Sequence, residues 1–565
     1  MFPSAGSRRA LALMLALVMI FAFGIIMFAL LSQTQFQTRS ARRHEIRQVE
    51  FAAAEAGLNK AFAELRFFLD FGTGSIADAV TGISPPSFDD ITNSGFTMSQ
   101  TSAQNEIPTS GPFVGLTLYT ETYQVQLNSR YSGPDAGLLE RPGVTIRQDM
   151  KVRYVPLYIY GIFYDTDLEI LPGPTFVQSG RVHSNGNMYV GAGSSATFNN
   201  YVTSHGEIHH DLHPFDTHHG SVDNGSVNYT NGTSAISDLI DGQYVDHDHA
   251  DWASLSADTW DGHVLDSAHG MPELPLPIPD AENPHVLIEP AHPDDSISVA
   301  EIKFENKAGL IIDVDPSTFV VTAHDADGNS VSLVYDHDSN PGTPPIPVYE
   351  LNTFYDNREA SNVTTIDIDM GLLEDSGIAP DNGILYVNAE TGVRLVNAAE
   401  LPSNVHGGFT VATNGPVYVE GDYNTVDTKL SLIAADAYNQ LSNNWDDANS
   451  TNWSARNAGQ TTVKSVIMAG NVPTDADTPY SGGVENYFRF HEKWGGVTFT
   501  FAGSIINLWD SEVATGNWHY GNPVYEAPNR AWDWDIIYGG LAGPPGMPRV
   551  YFIDRLEWQE VESPS

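Results

Sequence analysis

The sequence predicts a mainly β protein with one long N-terminal α-helix, in which a single membrane-spanning helix is followed by an irregular, parallel β-solenoid-like head with insertions. Three observations predict this fold class. Residues 10–31 are apolar and carry no charge. Apolar and polar residues alternate over 116–127 and 144–155, as in strands with one solvated face. A glycine-containing motif recurs after about 20 residues, a length that suits one rung of a β-solenoid.

The composition excludes several classes of protein. The 26 basic and 71 acidic residues give a net charge of −45, which argues against nucleic-acid binding because phosphate recognition needs a cationic surface. The chain has no cysteine, so disulfides, thiolate metal sites and cysteine nucleophiles are excluded.

The apolar segment is long enough to cross a membrane, because 22 helical residues extend over about 33 Å. A cleaved secretory signal is the alternative, but its apolar region is shorter, about 7–15 residues, and ends at a small-residue cleavage site. No such site follows this segment, so we predict a retained anchor. Residues 1–72 carry a net charge of +3 and the remainder −48, and we expect the acidic body to be exported, although arginines flank the segment on both sides.

The helix is predicted to continue beyond the membrane. Between residues 33 and 71 there is no proline, and large apolar residues follow one helical face: Phe51, Leu58, Phe62, Leu65 and Leu69. Small residues at 52–54 and 56 allow close packing of helices, and Gly72 and Gly74 are predicted to end the helix. The helix is either an ordinary anchor with a short amphipathic extension or a helix that assembles with other helices.

The segment Phe51–Asn59 (FAAAEAGLN), together with the apolar span and the arginine-rich patch before it, resembles the N-terminal region of PilX-type minor pilins and related prepilin-like proteins of type IV pilus and type II secretion systems. The resemblance implies insertion in the inner membrane, processing between Gly6 and Ser7, and assembly with other pilin-like subunits. Leu11 stands where such proteins usually have a glutamate. The residues implied in helix assembly are Ala52, Ala53, Glu55, Ala56 and Gly57.

The repeat is clearest where Val182–Tyr189 recurs as Val202–His209. A degenerate copy begins at Ile162, and further copies begin at Val411, Val466 and Phe499. We expect two short strands to meet at a glycine corner, where a positive φ costs nothing; the alternative for the distant copies is an ordinary hairpin turn. The predicted corner glycines are Gly186, Gly206, Gly415, Gly470 and Gly503.

These patterns divide the chain into a membrane and stalk helix (1–72), a linker (73–110), solenoid rungs (111–222), a β-rich insertion (223–400), and further solenoid strands with a tryptophan-rich C-terminal cap (401–565). An alanine-rich stretch, Leu432–Leu441, is predicted to be helical. Most tryptophans lie between Trp445 and Trp558, and they either cap the solenoid or form a sugar-binding surface. The body is also similar to the bodies of large uncharacterised prepilin-like bacterial proteins, in short segments such as Gly180–Gly186 and Tyr480–Asn486.

Two stretches have residue types that bind metals. Six histidines lie within 15 residues and predict a transition-metal site, with a solvated loop as the alternative: His205, His209, His210, His213, His218 and His219. The sequence His247-Asp248-His249 is a weaker candidate. Alternating oxygen-bearing residues suggest a calcium loop, with an acidic turn as the alternative: Asp336, Asp338 and Asn340.

The sequence lacks a phosphate-binding loop, a nucleophile elbow and a His-Glu-x-x-His motif, so we predict that the protein is not an enzyme and has no resident cofactor. The main hypothesis is a structural, membrane-anchored minor pilin or pseudopilin-like component with a periplasmic or extracellular head. One alternative is a filament-tip or surface adhesin that binds glycans with the help of calcium. The other is a polysaccharide lyase or hydrolase built on a β-solenoid.

Overall fold

The computed structural model describes residues 5–71, 83–109, 113–134, 136–138, 143–222, 224–274, 276, 278, 283–336, 344–405, 407–475 and 480–561. The chain forms two compact units: residues 1–103, 121–152 and 553–565 make up the first, and residues 104–120 and 153–552 the second. The predicted helix end at Gly72 and Gly74 lies outside the described residues.

The α-helices are few and, after the first, short. They are α1 (Ala5–Phe71), α2 (Trp252–Trp260), α3 (Ile297–Ile302), α4 (Phe304–Lys307) and α5 (Met370–Ser376). The 3-10 helices are Ala136–Leu138, Leu157–Ile159, Ser267–His269, Pro284–Leu287, Asp447–Asn449, Gly483–Asn486 and Ile536–Gly539.

Strands make up most of the rest. In chain order, the first sixteen are β1 (Ile91–Glu106), β2 (Leu118–Tyr131), β3 (Val144–Pro156), β4 (Tyr160–Tyr164), β5 (Leu168–Ile170), β6 (Phe176–Gln178), β7 (Arg181–Ser184), β8 (Met188–Val190), β9 (Ala192–Phe198), β10 (Val202–Ser204), β11 (Ile208–His209), β12 (Asn224–Thr230), β13 (Ala235–Ser237), β14 (Leu239–Ile240), β15 (Gln243–Tyr244) and β16 (Val264–Leu265).

The remaining strands are β17 (Leu310–Val314), β18 (Val321–Asp325), β19 (Val334–Tyr335), β20 (Ile346–Pro347), β21 (Tyr349–Asp356), β22 (Ser361–Asp369), β23 (Ile384–Asn388), β24 (Val393–Val396), β25 (Gly408–Thr413), β26 (Val417–Glu420), β27 (Leu430–Ala435), β28 (Tyr438–Leu441), β29 (Thr461–Ala469), β30 (Phe488–Phe490), β31 (Thr498–Asn507), β32 (Asn529–Asp533), β33 (Arg549–Arg555) and β34 (Gln559–Val561). Strand β1 lies within the predicted linker, and β12 to β24 lie within the predicted insertion.

The first unit contains α1 and most of a five-stranded sheet in the order β1-β2-β3-β33, with β34 beside β3. The second half of α1 packs on this sheet: Gly57 lies so close to β2 that an added Cβ would be 2.1 Å from Leu127 Cδ2. The backbone N–H of Tyr131 donates to the buried carboxylate of Glu50 (3.0 Å). These contacts hold the helix to the sheet by both packing and hydrogen bonding.

The second unit is built on a twelve-stranded sheet whose main path is β16-β10-β7-β4-β31-β29-β27-β25-β23-β17-β18. All pairs from β16 to β17 are parallel, and the two strongest copies of the repeat pair residue for residue, Val182 with Val202. Only the last pair on this path, β17 with β18, is antiparallel.

A column of buried aliphatic side chains crosses this sheet, one from each parallel strand. In spatial order they are Val264, Val202, Val182, Ile162, Ile505, Ile467, Ile433, Val411, Leu385 and Leu310. They belong to one hydrophobic core, whereas the next residue of most of these strands, such as Phe163 or Met468, packs into a second core on the opposite face. The sheet is therefore buried on both faces, as parallel sheets usually are.

Parallel pairs also form outside this sheet. They are found in the three-stranded sheet β11-β8-β5, in the sheet β13-β12-β9-β6, and in the sheet β21-β22-β24-β26-β28-β30. The predicted long helix followed by a mostly β body is confirmed. A β-solenoid is not confirmed, because the sheets mix parallel and antiparallel pairs and do not close.

The predicted helix over Leu432–Leu441 is wrong: these residues form β27 and β28. Small and apolar residues in succession suit a strand that is covered on both faces as well as they suit a helix, and the buried neighbours decide between them. Among the tryptophans, Trp494, Trp509 and Trp532 are buried in the two cores. Strand β31 lies between β29 and β4 in the interior of the sheet.

Candidate assembly helix and candidate metal centre

Helix α1 is divided into two parts by its environment. Residues 9–41 are exposed, including large apolar side chains such as Phe21 and Phe28 (68% and 75% exposed). By length and composition, α1 is the one helix among the described residues that could cross a membrane. The predicted processing site, Gly6 and Ser7, lies in the first turns of this helix.

The second part of α1 has one buried stripe, at spacings of three and four residues. Its members are Ile46, Glu50, Ala53, Ala54, Gly57, Leu58, Ala61 and Leu65. The five residues implied in assembly therefore separate. Ala53 and Gly57 pack inside the first unit, whereas Ala52 and Glu55 are exposed and Ala56 is half-buried.

Contacts from the end of the chain reinforce this part of the helix within the first unit. The Arg47 guanidinium binds the Glu560 carboxylate (2.9 Å), and the Phe51 ring meets the edge of Trp558 at 5.0 Å. The guanidinium of Arg555 lies over the ring of Phe62 at 5.1 Å. Exposed ion pairs contribute little individually, so apolar packing remains the main source of stability here.

The predicted corner glycines are not at positive φ. Each instead leaves no room for a Cβ, because the backbone of a neighbouring strand or turn lies in its place. A Cβ added to Gly206 would lie 2.6 Å from the carbonyl oxygen of Gly186, and a Cβ added to Gly415 would lie 2.1 Å from the carbonyl oxygen of Ala389. Backbone atoms crowd Gly186 and Gly470 in the same way. Gly503 lies within β31 and not at a corner, and an added Cβ there would lie 1.8 Å from the carbonyl oxygen of Ser465.

The six histidines do not converge on one point. His205 faces the Met271 carbonyl, His210 is buried against Asp238, and His213 lies 3.3 Å from Asp167. The ring of His218 stacks on Tyr480, and His219 pairs with Asp216. Of the calcium candidates, Asp336 is exposed, and Asp338 and Asn340 lie outside the described residues.

Of these six histidines, His209, on the edge strand β11, has ring nitrogens near two different carboxylates. Its Nε2 lies 3.2 Å from Glu207 Oε2 and its Nδ1 lies 3.6 Å from Asp248 Oδ2. Asp246 also places a carboxylate oxygen within metal-ligand reach of His209 and Asp248. We name Glu207, His209, Asp246, His247 and Asp248 the β11 cluster. The sequence pointed to both histidines but not to Glu207 or to their convergence.

His247 is held by a buried carboxylate. Its Nδ1 lies 2.7 Å from Asp266 Oδ2, and its Nε2 lies 3.2 Å from Glu207 Oε1. Burial alone lowers the pKa of His247, but the hydrogen bond to Asp266 and the nearby carboxylates outweigh burial and raise it. Burial opposes ionisation of Asp266, but hydrogen bonds from His269, His247 and Trp252 keep its pKa below the usual range.

A second histidine–carboxylate group lies elsewhere in the second unit. His285 is buried, with Nε2 3.3 Å from Asp436 Oδ1 and Nδ1 3.3 Å from Glu289 Oε1, and Glu512 completes the group. Asp436 also accepts hydrogen bonds from the backbone N–H groups of residues 512–514. This arrangement ties three segments together.

No family model matches the chain, and no curated protein matches its sequence. Among solved structures, a similar chain is the competence-associated pilin ComZ from Thermus thermophilus, at 11% sequence identity and a TM-score of 0.31. The alignment covers 91% of this chain and 98% of that chain.

Proposed function

We propose that this chain is a structural, membrane-anchored subunit of the pilin-like class, in which the first part of α1 packs in the membrane or among the helices of other subunits. The observation that carries this proposal is the division of one continuous 67-residue helix into an exposed apolar part and a part that packs on the first unit's sheet.

The exposed part cannot remain in water at low cost. Burying one large aliphatic or aromatic side chain is worth about 1.5–3 kcal/mol, and most residues of the segment 10–31 are of this kind. Lipid or a bundle of similar helices would remove this cost. The packed part gives the helix a fixed connection to the first unit, so that assembly of the exposed part would also position that unit.

The charge distribution supports export of the acidic body, and the segment Phe51–Asn59 favours a minor pilin or pseudopilin of PilX type in a type IV pilus or type II secretion-type system. On this proposal the head is periplasmic or extracellular. The run of parallel pairs from β16 to β17 supports a head built as an irregular, solenoid-like stack. The burial of Trp494, Trp509 and Trp532 gives less support to a sugar-binding surface.

Photo-cross-linking in native membranes tests the assembly role. A benzophenone side chain placed at Phe21 or Phe28 should form adducts with an apolar helix, either of another copy or of another pilin-like subunit. The matched control is Phe215, which is 46% exposed and lies in the second unit; we expect no such adduct there. If positions 21 and 28 gave only lipid adducts, α1 would be an ordinary anchor and the proposed subunit role would be wrong.

Mass spectrometry of the mature N-terminus tests the processing prediction. We expect the native chain to begin at Ser7 and Gly6→Val to retain its first six residues, because a bulky residue would block peptidase access. Ala5→Ser is the matched control and should be processed normally. An intact N-terminus in the native chain would exclude processing here.

A further inference from the structure

We propose that the β11 cluster is a binding site for one divalent transition-metal ion of the zinc class. The cluster combines two imidazoles with three carboxylates in the second unit, and all of its ligand candidates come from two short segments, 207–209 and 246–248.

The stacking of parallel strands explains why Glu207 is available as a ligand. The residue after Gly186 and the residue after Gly206 each donate a hydrogen bond to the equivalent residue of the preceding repeat. The backbone N–H of Asn187 donates to Asp167 Oδ1 (2.7 Å), and the N–H of Glu207 donates to Asn187 Oδ1 (2.9 Å). Each of these side chains accepts a hydrogen bond from the next strand. Strand β11 is the edge of its sheet, and the Glu207 carboxylate faces His209 and His247 instead.

The tautomer of His247 is fixed by its partner. Asp266 is a fully buried acceptor whose two oxygens also accept hydrogen bonds from Trp252 Nε1 (2.7 Å) and the Ala268 N–H (3.0 Å). His247 must therefore donate from Nδ1, so that Nε2 carries the lone pair in the neutral ring. A buried carboxylate that orients a histidine through its second nitrogen is the usual outer partner of a metal-binding histidine.

The Nε2 of His247 lies 3.2 Å from a carboxylate oxygen of Glu207. His209 has a carboxylate beside each ring nitrogen, Glu207 at Nε2 and Asp248 at Nδ1. Asp246 is already oriented, because it accepts from the N–H groups of His210 (3.0 Å) and Asp248 (3.1 Å).

The donor set favours one class of ion. Imidazole nitrogens suit zinc, copper and nickel, whereas calcium and magnesium prefer oxygen ligands alone. The ring of His209 is stacked on Tyr189 (5.4 Å between centroids), directly across the strand pair β8–β11. The ring centroids of His209 and His247 lie 6.0 Å apart.

Calorimetric titration tests the site. The full-length chain in detergent micelles, freed of metal by a chelator, is titrated at pH 7.5 with Zn²⁺ and separately with Ca²⁺. We expect saturable binding of one Zn²⁺ per chain and much weaker binding of Ca²⁺. Asp248→Asn should weaken Zn²⁺ binding at least about tenfold. Its side chain is 81% exposed, so this variant should fold normally.

His209→Ala and His247→Ala should each weaken Zn²⁺ binding more than Asp248→Asn does. His263→Ala is the matched control, because His263 bonds to main-chain carbonyls and stacks on Tyr201 outside the cluster, and it should bind as the native chain does. X-ray absorption at the zinc edge should show scattering from two imidazoles, reduced to one in His247→Ala.

Each of the following results would overturn the proposal. They are the absence of saturable Zn²⁺ binding, binding that the Asp248 and His209 variants leave unchanged, and Ca²⁺ binding as tight as that of Zn²⁺. A loss of binding in the His263 control as large as that in the cluster variants would also contradict it, because the effect would then reflect general loss of structure.

Discussion

At the scale of single residues, the glycines of the repeat are required by what lies next to them and not by their φ angles. Neighbouring strands and turns bring their carbonyl groups to the positions that side chains would occupy. The close approach of two backbones is a recognised reason for glycine in a strand region, and in this protein it is a consequence of stacking.

We predict that Gly415→Ala destabilises the second unit by about 1–3 kcal/mol or more, because the new Cβ would lie 2.1 Å from the carbonyl oxygen of Ala389 and the backbone would have to move. Urea unfolding of the full chain in detergent measures the change. Gly220→Ala is the control, since no heavy atom lies within 4 Å of its added Cβ, and it should change the unfolding free energy by less than about 0.5 kcal/mol. Equal effects would contradict the steric explanation.

A buried carboxyl group is the clearest source of pH dependence. Burial first, and then the negative charges of Asp216 and Glu485, raise the pKa of Glu169 to about 8, against a weak hydrogen bond from the His213 N–H. Glu169 lies in a cavity of about 300 Å³ with Asp167 and His213, and among the described residues its Oε2 has no hydrogen-bond partner. The folded chain therefore binds this proton more tightly than the unfolded chain.

The stability that this proton contributes is fully present below about pH 4.5 and is lost as the pH rises through about 8. We predict that Glu169→Gln matches the native chain at pH 4 and exceeds its unfolding free energy by at least about 1 kcal/mol at pH 9, the equivalent of roughly one pKa unit. Denaturant unfolding at the two pH values measures this. Glu301→Gln replaces an exposed carboxyl and should have little effect. Equal stabilities at pH 9 would show that Glu169 ionises without cost.

At the scale of single elements, helix α1 shows how one sequence pattern can serve two environments. Its small residues allow close packing on two sides: Ala53 and Gly57 face the unit's own sheet, whereas Ala52 remains exposed. The sequence alone suggested that all of them served assembly. The sheet occupies one side because Gly57 lets the helix approach Leu127.

We predict that Gly57→Leu destabilises the first unit by about 1–3 kcal/mol, because the added side chain must displace Leu127 from a fully buried position. Hydrogen exchange of the segment 46–65 should rise in this variant. Ala52→Leu is the matched control on the exposed side of the same helix and should leave exchange unchanged. If the control raised exchange equally, Gly57 would have no special packing role.

At the scale of the whole molecule, the order of strands in the large sheet differs from their order in the chain. From β4 the chain adds β7, β10 and β16 in turn toward one edge of the sheet. Starting near the other edge, β17, β23, β25, β27, β29 and β31 are then added in turn toward β4, and β31 pairs with β4. The first and last parts of the second unit are therefore direct neighbours. Contacts between residues this far apart in sequence make folding depend on distant segments of the chain.

We predict that Ile505→Ala destabilises the second unit by about 2–5 kcal/mol and lowers hydrogen-exchange protection in both β29 and β4. Ile505 is buried and pairs with Ile467 on one side and with Ile162 on the other. Val264→Ala, on the terminal strand β16, is the control and should affect β10 without affecting β29. Loss of protection in β29 alone would contradict the pairing of β31 with β4.

Local periodicity and composition were enough to predict the long apolar helix, its continuation, the strand-rich body and the pairing of the repeats at 162, 182 and 202. Three features came from the fold alone: residues 432–441 contribute to two strands, β31 pairs with β4, and Glu207 lies beside both His209 and His247. These features depend on which distant segments cover a strand or complete a cluster. Local patterns cannot specify that choice, because a buried strand and a buried helix have the same apolar composition.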